Sequence, residues 1–172
     1  MRKLLIFALC LISAINFIGC SQPKNNSFKD NLQSAAESTK WVEIYKITLK
    51  SYLELDAALN ENIDFIAIDL SFLDYISDED KKAIFMWFES RYAPVIDTNM
   101  DGLKAKGLFD EKAMIIPNGV LLSITKVSAS NKEIIIEGMK YRGGLGANGF
   151  ETKWRLKNDS WEFIETIMIW IS

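Results

Sequence analysis

The spacing of apolar residues changes once along this chain, and that change limits what it can fold into. Before about residue 106 large apolar side chains recur at helical spacing, and from residue 119 onward they alternate. Segments 119–128, 133–141, 150–157 and 161–171 read as β-strands. In the third of these, Phe150, Thr152, Trp154 and Leu156 alternate with Glu151, Lys153, Arg155 and Lys157, so one face is apolar and the other wet. Asn158, Asp159 and Ser160 supply a tight hairpin turn into the last strand. That strand has Trp161, Phe163, Ile167, Ile169 and Ile171 on one face and Ile164, Met168 and Trp170 on the other. Apolar character on both faces predicts a central strand, covered on each side.

The first half has helical punctuation. Tyr45, Leu49, Tyr52, Leu53 and Leu59 lie on one stripe of a helix spanning 41–59, widened by Val42, Ile44, Ile47 and Leu55. Residues 64–70 read as a short strand or extended link, followed by a helical turn around 72–76. Ser77 is a predicted N-cap, and Asp78, Glu79 and Asp80 stand in the first turn, where the helix dipole favours negative charge. Ile84, Phe85, Phe88 and Tyr92 line one face of that helix, which Pro94 ends. A short third helix spans 99–106, with Gly107 as its C′ residue.

Helices followed by four strands on short turns indicate an α+β class, with N-terminal helices packed on a curved four-stranded antiparallel sheet. From about residue 66 onward this order resembles the cystatin-like and ketosteroid-isomerase-like superfold, a cone of sheet wrapped around helices. The run Tyr141-Arg142-Gly143-Gly144-Leu145-Gly146-Ala147-Asn148-Gly149, with the terminal Trp170-Ile171-Ser172, also resembles the tail of small, uncharacterised lipoproteins of low-GC bacteria.

The N-terminus carries a different signal. Arg2 and Lys3 precede an apolar run from residue 4 to 18 that is broken only by Ser13 and Asn16. The run is shorter than the roughly 20 residues a spanning helix needs and is about as long as the core of an export signal. Phe17-Ile18-Gly19-Cys20, followed at once by polar residues, resembles the lipobox of bacterial lipoproteins, although Phe17 stands where Leu is usual. The resemblance implies lipidation of Cys20. The expected organisation is a signal peptide over 1–19, lipidated Cys20 and a flexible tether over 20–40, and one domain over 41–172. The implied location is extracytoplasmic: anchored by lipid in the cell membrane, or in the outer membrane where the organism has one.

Composition narrows the chemistry. The chain of 172 residues contains no histidine, and its two cysteines are Cys10 in the signal and Cys20. A mature domain without imidazole or free thiol excludes Ser-His-Asp and Cys-His catalysis, and zinc, haem or copper sites of the usual kind. The net charge is −3, and loss of Arg2 and Lys3 leaves 18 basic against 23 acidic residues. A mildly acidic domain without a basic run is not built for nucleic acid.

Three local patterns are candidate sites. Gly144, Gly146 and Gly149 match a dinucleotide glycine fingerprint in letters, but that motif must open a helix and here a strand follows. The reading is a wide hairpin loop with several positive φ angles, whose amides, with Arg142, form a candidate rim for an anion or peptide. Asp97, Asn99 and Asp101, followed by Gly102, match the start of a calcium loop. Leu108 stands where that loop needs its bidentate glutamate, so the favoured reading is a capped helix entry. Asp69, flanked by Asp64 and Asp74, is a candidate general base if buried, set against a structural hydrogen bond. No cofactor is expected.

The function these features suggest is a lipid-anchored binding module at the cell envelope that holds a protein, peptide or small ligand. The alternatives are a carboxylate-dependent enzyme of the cone fold and an envelope immunity or inhibitor protein.

Overall fold

The first described helix, α1 (Trp41–Glu54), turns Trp41, Ile44, Tyr45, Thr48, Leu49, Tyr52 and Leu53 inward, three and four residues apart as one helical face requires. A computed structural model describes residues 41–172. The signal segment 1–19 and Cys20 with its tether, 20–40, lie outside the described residues. The helix stops short of the expected residue 59. Asp56 takes a left-handed conformation (φ 53°), and a single 3-10 turn, Ala57–Asn60, follows.

Next come β1 (Phe65–Asp69), α2 (Asp78–Glu89), β2 (Val95–Asp97), α3 (Met100–Ala105) and four long strands. These are β3 (Gly119–Ala129), β4 (Glu133–Gly143), β5 (Gly146–Lys157) and β6 (Ser160–Ile171). Ser77 caps α2 by accepting from the Asp80 amide at 3.1 Å, and Asn99 caps α3 by accepting from the Gly102 amide at 2.9 Å. Gly107, at φ 68°, closes α3 in the left-handed region that glycine tolerates. Asn158 and Asp159 both have positive φ, which gives the hairpin twist expected from their sequence.

Among the described residues the sheet has six strands, in the order β2-β1-β3-β4-β5-β6. β1 is parallel to both β2 and β3, and the remaining pairs are antiparallel. This corrects the expected four-stranded antiparallel cone: the sheet is larger, open and partly parallel. The physical reason is the segment before β3. After Pro94 only Val95, Ile96 and Asp97 pair with β1, and three residues are too few for a readable alternation. The chain thus makes two β-α-β crossovers before its antiparallel half begins.

Two cores cover the sheet. On one face α1 and α2 pack over Ile66, Ile68, Val120, Leu122, Ile124, Ile134, Ile136, Phe150 and Trp154. On the other, α3 and the loop after it bring Leu103, Phe109 and Ile116 onto Ala67 and Leu121. Each fully buried Leu, Ile or Phe contributes about 1.5–3 kcal/mol relative to exposure.

β6 overturns a second expectation. Among the described residues it is the last strand in the order, and although Trp161 packs on the core, its apolar side chains from Phe163 to Ile171 are exposed on both faces. Apolar residues on both faces mark a strand that lacks cover just as well as one that has it on each side.

Candidate functional site

The end of the sheet where β4 turns into β5 is held by side chains of β4 itself. The alternation that buries Ile134, Ile136 and Gly138 carries Lys140 and Arg142 onto the same face. The Lys140 ammonium, fully buried, donates to the carbonyls of Leu53, Leu55 and Asp56 at 2.8, 3.0 and 2.9 Å. It thereby caps the C-terminus of α1, where carbonyls lack helical partners and the dipole favours a cation. Burial lowers its pKa from 10.5 to about 8, Asp56 acts to raise it and Arg142 lowers it further. Asn148 on β5 adds a bond from its side-chain amide to the Asp56 carboxylate at 2.8 Å. The Arg142 guanidinium donates to the carbonyls of Leu59 and Glu61. Two cations thus fix the segment that follows α1.

Arg142 was a candidate for anion binding; its Nη1 donates to the two backbone carbonyls, and the side chain also lines the cleft described below. The glycine loop is also tighter than expected. β4 and β5 pair up to Gly143 and Gly146, which leaves only Gly144 and Leu145 in the turn. The wide loop with several positive φ glycines is therefore corrected: among the described residues the positive-φ glycine is Gly107. Gly149 lies within β5, and the Trp170 indole covers the place where its side chain would be.

Against this hairpin lies the 110–116 loop. Asp110 and Ile115 bond to each other through backbone, and Ile115 also bridges Gly143. The Asp110 carboxylate accepts from the amides of Lys112 and Ala113, and the Tyr141 hydroxyl donates to the Met114 carbonyl at 2.7 Å. Between hairpin and loop opens a cleft of about 520 Å³, walled by Leu59, residues 115–118 and residues 142–146. Beyond Met114 is a second depression of about 440 Å³, bordered by Met100, Lys104, Phe109 and Tyr141. The rim is apolar and open to solvent: Leu145 at the turn is 98% exposed, and Met114 and Ile115 are also exposed. Large side chains on a backbone pinned this tightly form a preformed surface with little ordering left to pay for.

The other sequence candidates sit elsewhere. Asp69 ends β1, half-buried, and its carboxylate accepts from the Ser71 amide at 2.9 Å as in an Asx turn. Asp97 ends β2, in register with Ile68 of β1 and near Asp69. Asn99 spends its side-chain oxygen on the α3 cap, and Asp101 faces Lys104 at 3.9 Å. Among the described residues no three His, Cys, Asp or Glu side chains converge on a point that could hold a metal ion. Sequence reasoning missed Lys140, Met114, Ile115 and Leu145. A signal for Lys140 was present, because it continues the apolar alternation of Ile134 and Ile136.

Comparison with known proteins returns no family model, no curated protein and no solved structure that matches the chain.

Proposed function

We propose that this chain is a lipid-anchored interaction module of the cell envelope that grips an apolar segment of a protein partner at the β4–β5 hairpin end. The observation that carries the reading is Leu145, held fully exposed on a two-residue turn beside a cleft that exposed Ile115 also lines, with exposed Met114 next to Ile115 bordering the second depression. Exposed apolar side chains grouped on rigid backbone mark binding surfaces. The nearby polar side chains support binding over catalysis: Arg142 braces Leu59 and Glu61 through Nη1, and the Lys140 ammonium is taken up by the end of α1. The enzyme alternative depended on a cone that the sheet does not form.

The anchor rests on residues 1–20, whose charge, apolar run and Gly19-Cys20 pair resemble a lipoprotein signal. No helix among the described residues is long and apolar enough to cross a membrane. Lipid on Cys20 would hold the domain at the envelope, with 21–40 as the tether. An acidic domain of this kind is not designed for nucleic acid.

The test selects apolar peptides that bind the full chain and measures their affinity for Leu145→Glu and Met114→Glu. Each substitution is expected to weaken binding at least tenfold, about 1.4 kcal/mol. Because both side chains are exposed, stability should move by no more than about 0.5 kcal/mol. Unchanged affinity in both variants would reject the hairpin end as the binding surface.

A further inference from the structure

On a surface separate from the cleft, and independent of the reading above, we infer that β6 pairs antiparallel with β6 of a second copy, joining two sheets across a two-fold axis.

The two edges of this sheet differ. β2 is three residues long, too short to template an incoming strand, whereas β6 has twelve residues and, among the described residues, no strand beyond it. Edge strands in monomers are usually guarded by lysine, proline or inward charge. β6 has neither lysine nor proline. Its two carboxylates turn back onto β5, Glu162 to Lys157 at 3.3 Å and Glu165 to Lys153 at 3.7 Å. The outer edge is therefore left without an unmatched charge. Register shifts mark bulges where β6 carries an extra residue, and both extra residues, Ile164 and Ile169, are apolar. Bulges can guard an edge by twisting it, but here they add to its apolar surface.

The surface itself suits a copy of the same chain. Phe163, Ile164, Ile167, Met168, Ile169, Trp170 and Ile171 are each between 36% and 71% exposed. Seven such side chains, on both faces of the strand, present roughly 600 Å² per copy, an upper bound on what pairing covers, against the roughly 800 Å² a stable interface takes from each partner. Ile47 extends the surface along α1. It lies one turn before Ser51, whose hydroxyl bonds Thr166 of β6 at 2.7 Å. A two-fold perpendicular to the sheet near Ile167 places Ile167 beside its own copy and Thr166 beside Met168. Glu165 then faces Ile169 of the second copy, so no carboxylate opposes another. An isologous contact of this kind closes on itself as a dimer. The Ser172 amide and hydroxyl bond to the carbonyls of Ala147 and Gly144, so each hairpin stands at its own end of the joined edge.

The test uses the full chain in its own membrane with Ile167→Cys, and with Cys10→Ser so that any chain still carrying its signal segment has no thiol at residue 10. Mild oxidation is expected to give a reducible species of twice the chain mass. Lys126→Cys, on β3 away from the edge, should give none. Adding Ile169→Lys to the Ile167→Cys chain should cut the cross-linked yield at least tenfold. Failure to cross-link at residue 167 overturns the proposal. So does an adduct of a different mass, which would put another protein on the edge, or a yield that Ile169→Lys leaves unchanged.

Discussion

Replacing Lys140 by methionine is expected to destabilise the domain by about 2–4 kcal/mol at neutral pH, because three carbonyls at the end of α1 lose a charged donor in a buried site. The same change should remove a distinctive pH dependence. In the fold, burial lowers the Lys140 pKa from 10.5 to about 8. Below about pH 8 the folded and unfolded chains both hold the proton, and this group adds no slope. Between there and the unfolded value the unfolded chain holds more protons, so stability rises with pH. At about 1.4 kcal/mol per pH unit the gain approaches 3 kcal/mol. Toward pH 10 and above the tyrosines oppose it. Burial raises the pKa of Tyr45 and Tyr52, so the unfolded chain loses those protons first and stability falls. The wild-type chain should therefore be most stable in mildly alkaline solution. Urea titrations from pH 7 to 11 should show that rise in the parent and only the fall in Lys140→Met. A rise that survives in the variant would assign it to another group.

Gly138→Ala should be worse, at about 3 kcal/mol or more, with a fall in Tm of roughly 10 °C. An added methyl would lie 2.3 Å from the Ser123 carbonyl oxygen and 2.4 Å from the Tyr52 ring. Neither neighbour can withdraw. The Ser123 carbonyl is part of β3, which pairs with β4 here. Tyr52 is stacked on Phe150 at 5.0 Å and its hydroxyl is bonded to the Ile136 carbonyl at 3.0 Å. Gly144→Ala is the control, since its nearest neighbour would be the Met114 Cβ at 3.6 Å. It should change Tm by no more than about 2 °C. Equal losses at both positions would mean that glycine's backbone freedom, not the Tyr52 contact, sets the cost.

These two residues also show where the sequence could be read and where it could not. Local signals were accurate. Ser77 and Asn99 cap the helices assigned to them, Gly107 closes α3, and the alternation of 150–157 puts Phe150, Thr152 and Trp154 inside. Pairing partners were less legible, because they depend on contacts far apart in sequence. Val95, Ile96 and Asp97 become a strand only because β1 lies beside them, and that short pairing turns an antiparallel sheet into a mixed one. The position of β6 failed for a related reason: apolar residues on both faces say that cover is needed and leave open where it comes from. At the site, Arg142 and the glycines were noticed for their chemistry, yet the fold uses them as a brace and a tight turn. The exposed rim of Met114, Ile115 and Leu145 has no period to betray it, because two of the three sit in a loop and the third at a turn.

The most direct measurement of the central claim is photo-cross-linking in cells, with a benzophenone side chain at position 145 of the full chain and, as a comparison, at Lys82 on α2. The hairpin account predicts one defined protein adduct from position 145, absent from position 82 and lost when Met114→Glu is added. No adduct at 145, or the same set of adducts from both positions, would contradict it.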